Sequence, residues 1–222
     1  DSPLVSLSPP LASFGDRLSA YDAIITFSRS LVPVWHQLGA RRVVRIPFGY
    51  APEIHYPVQP TLEQVRRFGR EVVYPGSSGP LQRRWVEVLR PFGVAPYGDG
   101  WDHRSKWRRR FDIAVGRLPT PHGYGEELRI VCSAAKIVFG MIRAEHGCAH
   151  SMKTFEVPAC GGFYLTNRTD EQLEFFAEDR DAVYYATPEE LVDKERFYLG
   201  NDPARHTISQ QGRRAVGPHT YD

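Results

Sequence analysis

Residues 151–166, SMKTFEVPACGGFYLT, put a lysine and a glutamate in an otherwise apolar stretch that narrows to Gly161-Gly162 and runs into an apolar strand. Ser151 reads as the N-cap of a helix with Lys153 in its first turn. A lysine there opposes the helix dipole by roughly a few tenths of a kcal/mol, and a bound phosphate would reverse that sign. Glu156 follows one turn after Met152. A carboxylate so placed can accept hydrogen bonds from a ribose diol, or it can close a salt bridge within the helix.

A second stretch, VVYPGSSGPLQRR, reads as a strand turning into a helix. Gly76 lets the backbone come close to a ligand, and Ser77 and Ser78 offer hydroxyls and amides at a positive helix end. Arg83 and Arg84 add charge one turn in. The arrangement suits a diphosphate, although a glycine needed only for the turn explains it equally well. The stretch has neither a phosphate-loop lysine nor the dinucleotide glycine fingerprint, which disfavours a nicotinamide-dependent oxidoreductase. Tyr97, closing the strand VAPYG, joins the candidate ligand contacts.

The remaining chemistry-bearing residues are scattered. Of the eight histidines, His146 and His150 share the helical i, i+4 interval without a third ligand, so no metal site is expected. His150 is a candidate for contacting phosphate or a transferred sugar. Cys132, Cys148 and Cys160 are odd in number and lack metal or redox spacing, which points to reduced, buried thiols and the cytosol. RSKWRRR, residues 104–110, flanks a tryptophan with basic residues. A solvated or lipid-facing basic surface accounts for it better than nucleic acid, because the chain as a whole carries only +2.

The elements that must position these groups follow from periodicity. YDAIITFS reads as a strand, SRSLVPVWHQLG as a helix and RRVVRIPFG as a strand, a β-α-β unit with parallel strands. Residues 50–60 hold three prolines and read as a linker or crossing segment. The pattern restarts with strands at 70–76, 94–98, 136–141, 162–166 and 181–186. Helices are expected at 80–93, 124–135, 151–160 and 169–177, after a capping box from Thr187 to Glu190, and at 203–216. FDIAVGRL is a further short candidate strand. Short connections between alternating strands and helices imply a doubly wound α/β domain.

Composition agrees with a globular protein, 41% hydrophobic and 24% charged, with no run of the roughly 20 apolar residues that span a bilayer. DSPLVSLSPP has neither the basic start nor the apolar core of a secretion signal. The missing initiator Met reads as a processed end or a piece of a longer chain. Residues 1–50 supply too few strands to cover a parallel sheet on both faces, so another copy of the chain or a further segment is expected to cover them.

The run SMKTFEVPACGGFYLTNRTDEQLEFF, then YYATPEELVDKERFYLGNDPARHTISQQGRRAV and the closing HTY, resembles the C-terminal domain of CgeB-like (spore maturation protein) glycosyltransferases, a group 1 family. The likeness begins near residue 70. It implies a GT-B-type α/β fold: a partial N-terminal, acceptor-side α/β domain and linker over 1–60, and a doubly wound, Rossmann-like, nucleotide-sugar-binding domain over 61–222. It further implies sugar transfer from a nucleotide-sugar co-substrate to an unknown acceptor, with retention, without a bound metal or other cofactor, in the cytoplasm. By this resemblance Glu156 holds the donor ribose, Gly161 and Gly162 make room for the donor, Gly76 to Ser78 face the phosphates, and Lys153 neutralises them. Such transferases often dock on membranes through basic patches, which makes the 104–110 run a candidate peripheral contact. Two positions depart from the family: Cys148 stands where relatives often carry an acid, and Lys153 replaces their usual arginine, giving a point charge for a bidentate fork. The alternative is a non-catalytic sugar-nucleotide-binding or scaffold protein derived from such an enzyme.

Overall fold

The structure is a computed structural model that describes residues 18, 20–101, 122–142 and 149–222. The basic run 104–110, the candidate strand FDIAVGRL, His146 and Cys148 lie outside the described residues. The described strands fall into two parallel sheets. In the smaller, β1 (Ile24–Thr26) pairs with β2 (Val43–Arg45) across helix α1 (Leu31–Gln37). The larger has five strands: β3 (Val72–Pro75), β4 (Ala95–Tyr97), β5 (Ile137–Phe139), β6 (Tyr164–Asn167) and β7 (Val183–Tyr185), in the order β4-β3-β5-β6-β7.

Strands β3, β5 and β7 are buried at every residue, as expected of parallel strands covered on both faces. Their side chains alternate. Val72, Tyr74, Ile137, Phe139, Val183 and Tyr185 pack toward Leu89, Leu191 and Tyr198. These belong to helices α3 (Pro80–Leu89) and α7 (Pro188–Leu199). On the other face Val73 and Val138 meet Phe68, Leu128, Val131 and Val157. Those come from α2 (Leu62–Phe68), α4 (Glu126–Ala134) and α5 (Lys153–Ala159). Helices α6 (Asp170–Phe175) and α8 (Asp202–Ala215) follow β6 and α7. The chain then returns to the segment that follows β2, where Tyr50 N–H donates to the His219 carbonyl at 3.0 Å and Tyr221 N–H donates to that of Tyr50 at 3.1 Å. No helix among the described residues is long and apolar enough to cross a membrane.

Three local expectations change. Residues 61–69, unassigned from periodicity, contain α2, begun by a full capping box in which Thr61 Oγ1 accepts from Gln64 N–H and Gln64 Oε1 accepts from Thr61 N–H. At α7 the Thr187 hydroxyl caps Glu190 N–H as expected, but the Glu190 carboxylate reaches one residue further back, to Ala186 N–H at 2.7 Å. Ser151 is not an N-cap: Met152 holds that position in helical conformation without a side-chain cap, and Ser151 N–H instead donates to Thr154 Oγ1 at 3.2 Å.

Candidate active site

In an open parallel sheet the connections diverge where the strand order reverses, and a crevice opens there beyond the strands' carboxyl ends. Here the reversal lies between β3 and β5. A cleft of about 280 Å³ occupies that place. Pro75, Gly76 and Ser77 line it from the end of β3, Gly140 and Met141 from the end of β5, and Ser151, Met152 and Lys153 from the start of α5. Tyr74, Tyr124, Phe139 and Tyr164 complete the wall.

Lys153 is the cation of this cleft among its lining residues. Its Nζ sits 2.7 Å from Glu156 Oε2 and 4.9 Å from the centre of the Tyr124 ring. The Tyr124 hydroxyl is 3.1 Å from Ser77 Oγ. Glu156 is buried, and its other oxygen, Oε1, faces His55 Nε2 at 3.6 Å. At the floor, a Cβ on Gly140 would lie 2.3 Å from the Tyr164 hydroxyl, so only glycine there admits that ring. Burial pushes the Tyr164 phenol up to about 12, which keeps it a neutral donor at physiological pH. Glu156 does not line the cleft but lies buried behind Lys153; an ammonium and hydroxyls around an aromatic-walled crevice can hold a phosphorylated molecule.

The expected phosphate loop is only partly available. Gly76 N–H donates to the Tyr97 carbonyl at 2.8 Å and Ser78 N–H to that of Asp99 at 2.7 Å, so neither amide is free for an anion. Ser78 Oγ donates to the Gly100 carbonyl, and Arg83 Nη2 reaches both Ser78 Oγ and Gly100 O. Ser78 and Arg83 therefore tie the loop after β3 to the loop after β4, and of that stretch Gly76 and Ser77 border the cleft. Backbone amides need partners, and the neighbouring loop supplies them first.

Four other expected contacts are corrected. Tyr97 is buried with its hydroxyl donating to the Phe68 carbonyl at 3.0 Å, away from the crevice. Gly161 and Gly162 precede β6 and lie at its amino end, opposite the crevice. A Cβ on Gly161 would approach Pro57 to 3.2 Å, and one on Gly162 would approach Val157 to 3.0 Å and Cys132 to 3.1 Å, so the pair permits packing.

The fourth is His150, whose ring is fully buried among Phe27, Phe48, Phe155 and Phe175. Phe48 N–H donates to its Nε2 at 3.1 Å, so Nδ1 carries the proton and donates to Glu171 Oε2 at 2.8 Å. Burial lowers its pKa, leaving a neutral imidazole with neither nitrogen free for catalysis. Its partner Glu171 joins the two sheets: Oε1 also accepts from Ser28 Oγ at 2.5 Å and Arg29 N–H at 2.7 Å, and Oε2 lies 3.3 Å from Arg45 Nη2. Burial alone would raise the Glu171 pKa, but the hydrogen bonds from Ser28, His150 and Arg29 outweigh it and hold the group below the usual carboxylate range.

Residues 70–222 match the family model described as glycosyl transferase-like. The chain belongs to that family. The solved structures it resembles include a sucrose-phosphate synthase from Thermosynechococcus elongatus, at 17% identity and TM-score 0.60 over 96% of this chain and 59% of that one. HepE of Anabaena, solved in complex with UDP and glucose, aligns at 12% identity and TM-score 0.66 over 95% of this chain and 62% of its own. The C-terminal domain of the group 1 glycosyl transferase LpcC from Francisella tularensis aligns at 13% identity and TM-score 0.53, over 78% of this chain and all of that domain. At these identities the likeness establishes the GT-B glycosyltransferase fold. The chain spans about three-fifths of the synthase and of HepE. No match was found among curated protein sequences.

The family match covers every cleft residue named above, whereas His55 lies upstream of it. Sequence reading missed Tyr124, Gly140, Tyr164 and His55. A glycine ending the apolar strand KIVFGM was the available signal for Gly140; the other three carry none at the level of local pattern.

Proposed function

We propose that this chain transfers a sugar from a nucleotide-sugar donor to an acceptor, with the donor seated in the crevice beyond β3 and β5. The observation that carries the reading is the Lys153–Glu156 pair at the start of α5, placed where the sheet order reverses. In this reading Lys153 neutralises the diphosphate, Glu156 accepts hydrogen bonds from the ribose, and the Ser77 and Ser151 hydroxyls serve the phosphates. A uridine nucleotide is the first candidate, because HepE was solved with UDP and with UDP-glucose. The CgeB-like subfamily, retention of configuration, independence of metal and a cytoplasmic setting belong to the same proposal, as does an acceptor side contributed by residues 1–60.

Chemistry of this kind needs the leaving diphosphate held and stabilised while the glycosidic bond breaks, which a fixed cation in a sheltered cleft provides. The test is a thermal-shift screen of UDP-, GDP-, TDP- and CDP-sugars, since a ligand that binds only the folded state raises the melting temperature. One nucleotide class raising it for wild type and less for Lys153→Met and Glu156→Ala supports the site. No shift with any class contradicts it.

A further inference from the structure

We infer that His55, from the segment joining the two sheets, is a positioning residue for Glu156 and sets how strongly the cleft reads the ribose of a nucleotide; this rests on the reading of Glu156 as the ribose ligand. Ala51 N–H donates to His55 Nδ1 at 3.3 Å. Nδ1 is thus the acceptor of the neutral ring, and the ring hydrogen resides on Nε2. Nε2 faces Glu156 Oε1 at 3.6 Å while Lys153 holds Oε2 at 2.7 Å. The carboxylate is therefore bracketed, by a cation on the cleft side and an N–H dipole on the other. A 3.6 Å separation is a polar contact longer than a hydrogen bond, close enough to bias which way the carboxylate turns.

The segment around His55 is fixed on the large sheet's own helices. Val58 N–H donates to Ser133 Oγ at 3.3 Å, and Arg129 Nη1 donates to the Ile54 carbonyl at 3.4 Å while its guanidinium lies 4.6 Å from the centre of the Tyr56 ring. Gly161 receives Pro57 against its backbone. Both flanks of His55 are held, and the ring itself is buried. A carboxylate that must offer its lone pairs to a diol gains selectivity from being held before the ligand arrives, because a loosely oriented acceptor loses part of each hydrogen bond in ordering itself.

The test is calorimetry on the full chain. UDP, GDP, ADP and CDP are titrated, and the tightest binder is compared with its 2′-deoxy counterpart. Wild type is expected to prefer the ribonucleotide by about tenfold, the effect of one charge-assisted hydrogen bond. His55→Asn keeps an acceptor for Ala51 N–H but cannot reach Glu156, and should reduce the preference to about threefold or less. His55→Gln can place an N–H near the Nε2 position and should restore most of it. If wild type discriminates and Glu156→Ala does not, yet His55→Asn keeps the full preference, His55 plays no part and Glu156 stands alone. Equal loss in His55→Asn and His55→Gln also overturns the inference, by making the ring a packing element only. Absence of binding, or of any ribose preference in wild type, sinks the ribose reading and this inference with it. Wild type alone offers a parallel readout by nitrogen resonance: the His55 ring should shift with the ribonucleotide and stay put with the deoxy form, and an unmoved ring refutes the role.

Discussion

Lys153 and Glu156 form an ion pair of 2.7 Å one turn apart on α5, with the lysine lining the cleft and the glutamate buried behind it. Each charge is neutralised by the other before any ligand arrives. A nucleotide that pairs its phosphates with Lys153 must share that cation with Glu156, and its ribose must recover the difference. Glu156→Ala is therefore expected to weaken nucleotide binding by about 1–3 kcal/mol, the range for a charge-assisted hydrogen bond. The same substitution frees Lys153, so inorganic pyrophosphate should bind no more weakly than to wild type. Calorimetry with both ligands checks the pair of outcomes.

The Glu171–His150 contact predicts acid sensitivity of the junction between the sheets. His150 is held neutral, with its pKa lowered by burial from the ordinary 6.5. Unfolding then takes up a proton between the two values, so this contribution is complete above about 6.5 and is lost as pH falls toward the folded value. His219, also lowered by burial, adds a slope of the same sign. The readout is thus the difference between wild type and His150→Asn in denaturant midpoint at about pH 5.5 and about pH 7.5, where wild type should lose more in acid. Glu171→Ala, which strands the buried His150 N–H and the Arg29 amide while Arg45 keeps Glu174, should cost about 3 kcal/mol at neutral pH.

Glu195 predicts the opposite trend. It lies fully buried in α7, and among the described residues neither carboxyl oxygen has a hydrogen-bond partner. Burial lifts its pKa from 4.5 to about 8. The folded chain keeps a proton that the unfolded chain releases across that window, so stability present below 4.5 falls as pH rises to about 8, by roughly 1.4 kcal/mol per unit. Glu195→Leu removes the titration, so its gain over wild type should grow by roughly 3–4 kcal/mol between about pH 4.5 and neutral pH and flatten above about 8. Urea denaturation across that range measures it.

Gly161 and Gly162 should affect packing, and Gly162 should leave binding alone. Gly161 has φ 77°, a left-handed backbone that alanine adopts at a cost of roughly 1 kcal/mol. Gly162→Ala would press a methyl against Val157 and Cys132, an overpacking cost of about 1–3 kcal/mol. Melting temperature should fall in both variants, with nucleotide affinity unchanged in Gly162→Ala. A drop in affinity without a drop in stability would return the pair to the donor site.

What is legible in the sequence follows a physical division. The five strands of the large sheet and most of its helices announce themselves through burial on both faces and through caps such as Thr187, because those signals are local. Helix α2 is legible in principle from Thr61 and Gln64, although periodicity alone does not assign it. Lys153 and Ser77 fall at the crevice because a parallel sheet fixes which ends of its strands can bind. Gly161-Gly162 misleads for the same reason read backwards: a glycine pair near a functional helix resembles a ligand cradle, yet it follows the helix and so falls at the opposite end of the sheet. His150 and His55 depend on contacts across the chain, with Phe48 and Glu171 for one and Ala51 and Glu156 for the other. Nothing in local spacing says which histidine faces the carboxylate behind a cleft and which is sealed in an aromatic box.

Sugar transfer in this cleft requires that Lys153 stabilise a departing diphosphate. Nucleoside diphosphate release from the matching nucleotide-sugar, with and without candidate acceptors, should be measured for wild type and Lys153→Met with donor affinity determined in parallel. Negative charge on the leaving group grows as the glycosidic bond breaks, so the rate should fall by more than the affinity does, on the order of a hundredfold against tenfold or less. A wild type that binds a sugar nucleotide and never releases the diphosphate would contradict transfer and leave a binding protein. Equal losses of rate and affinity in Lys153→Met would leave Lys153 as a donor anchor with no share in the chemistry.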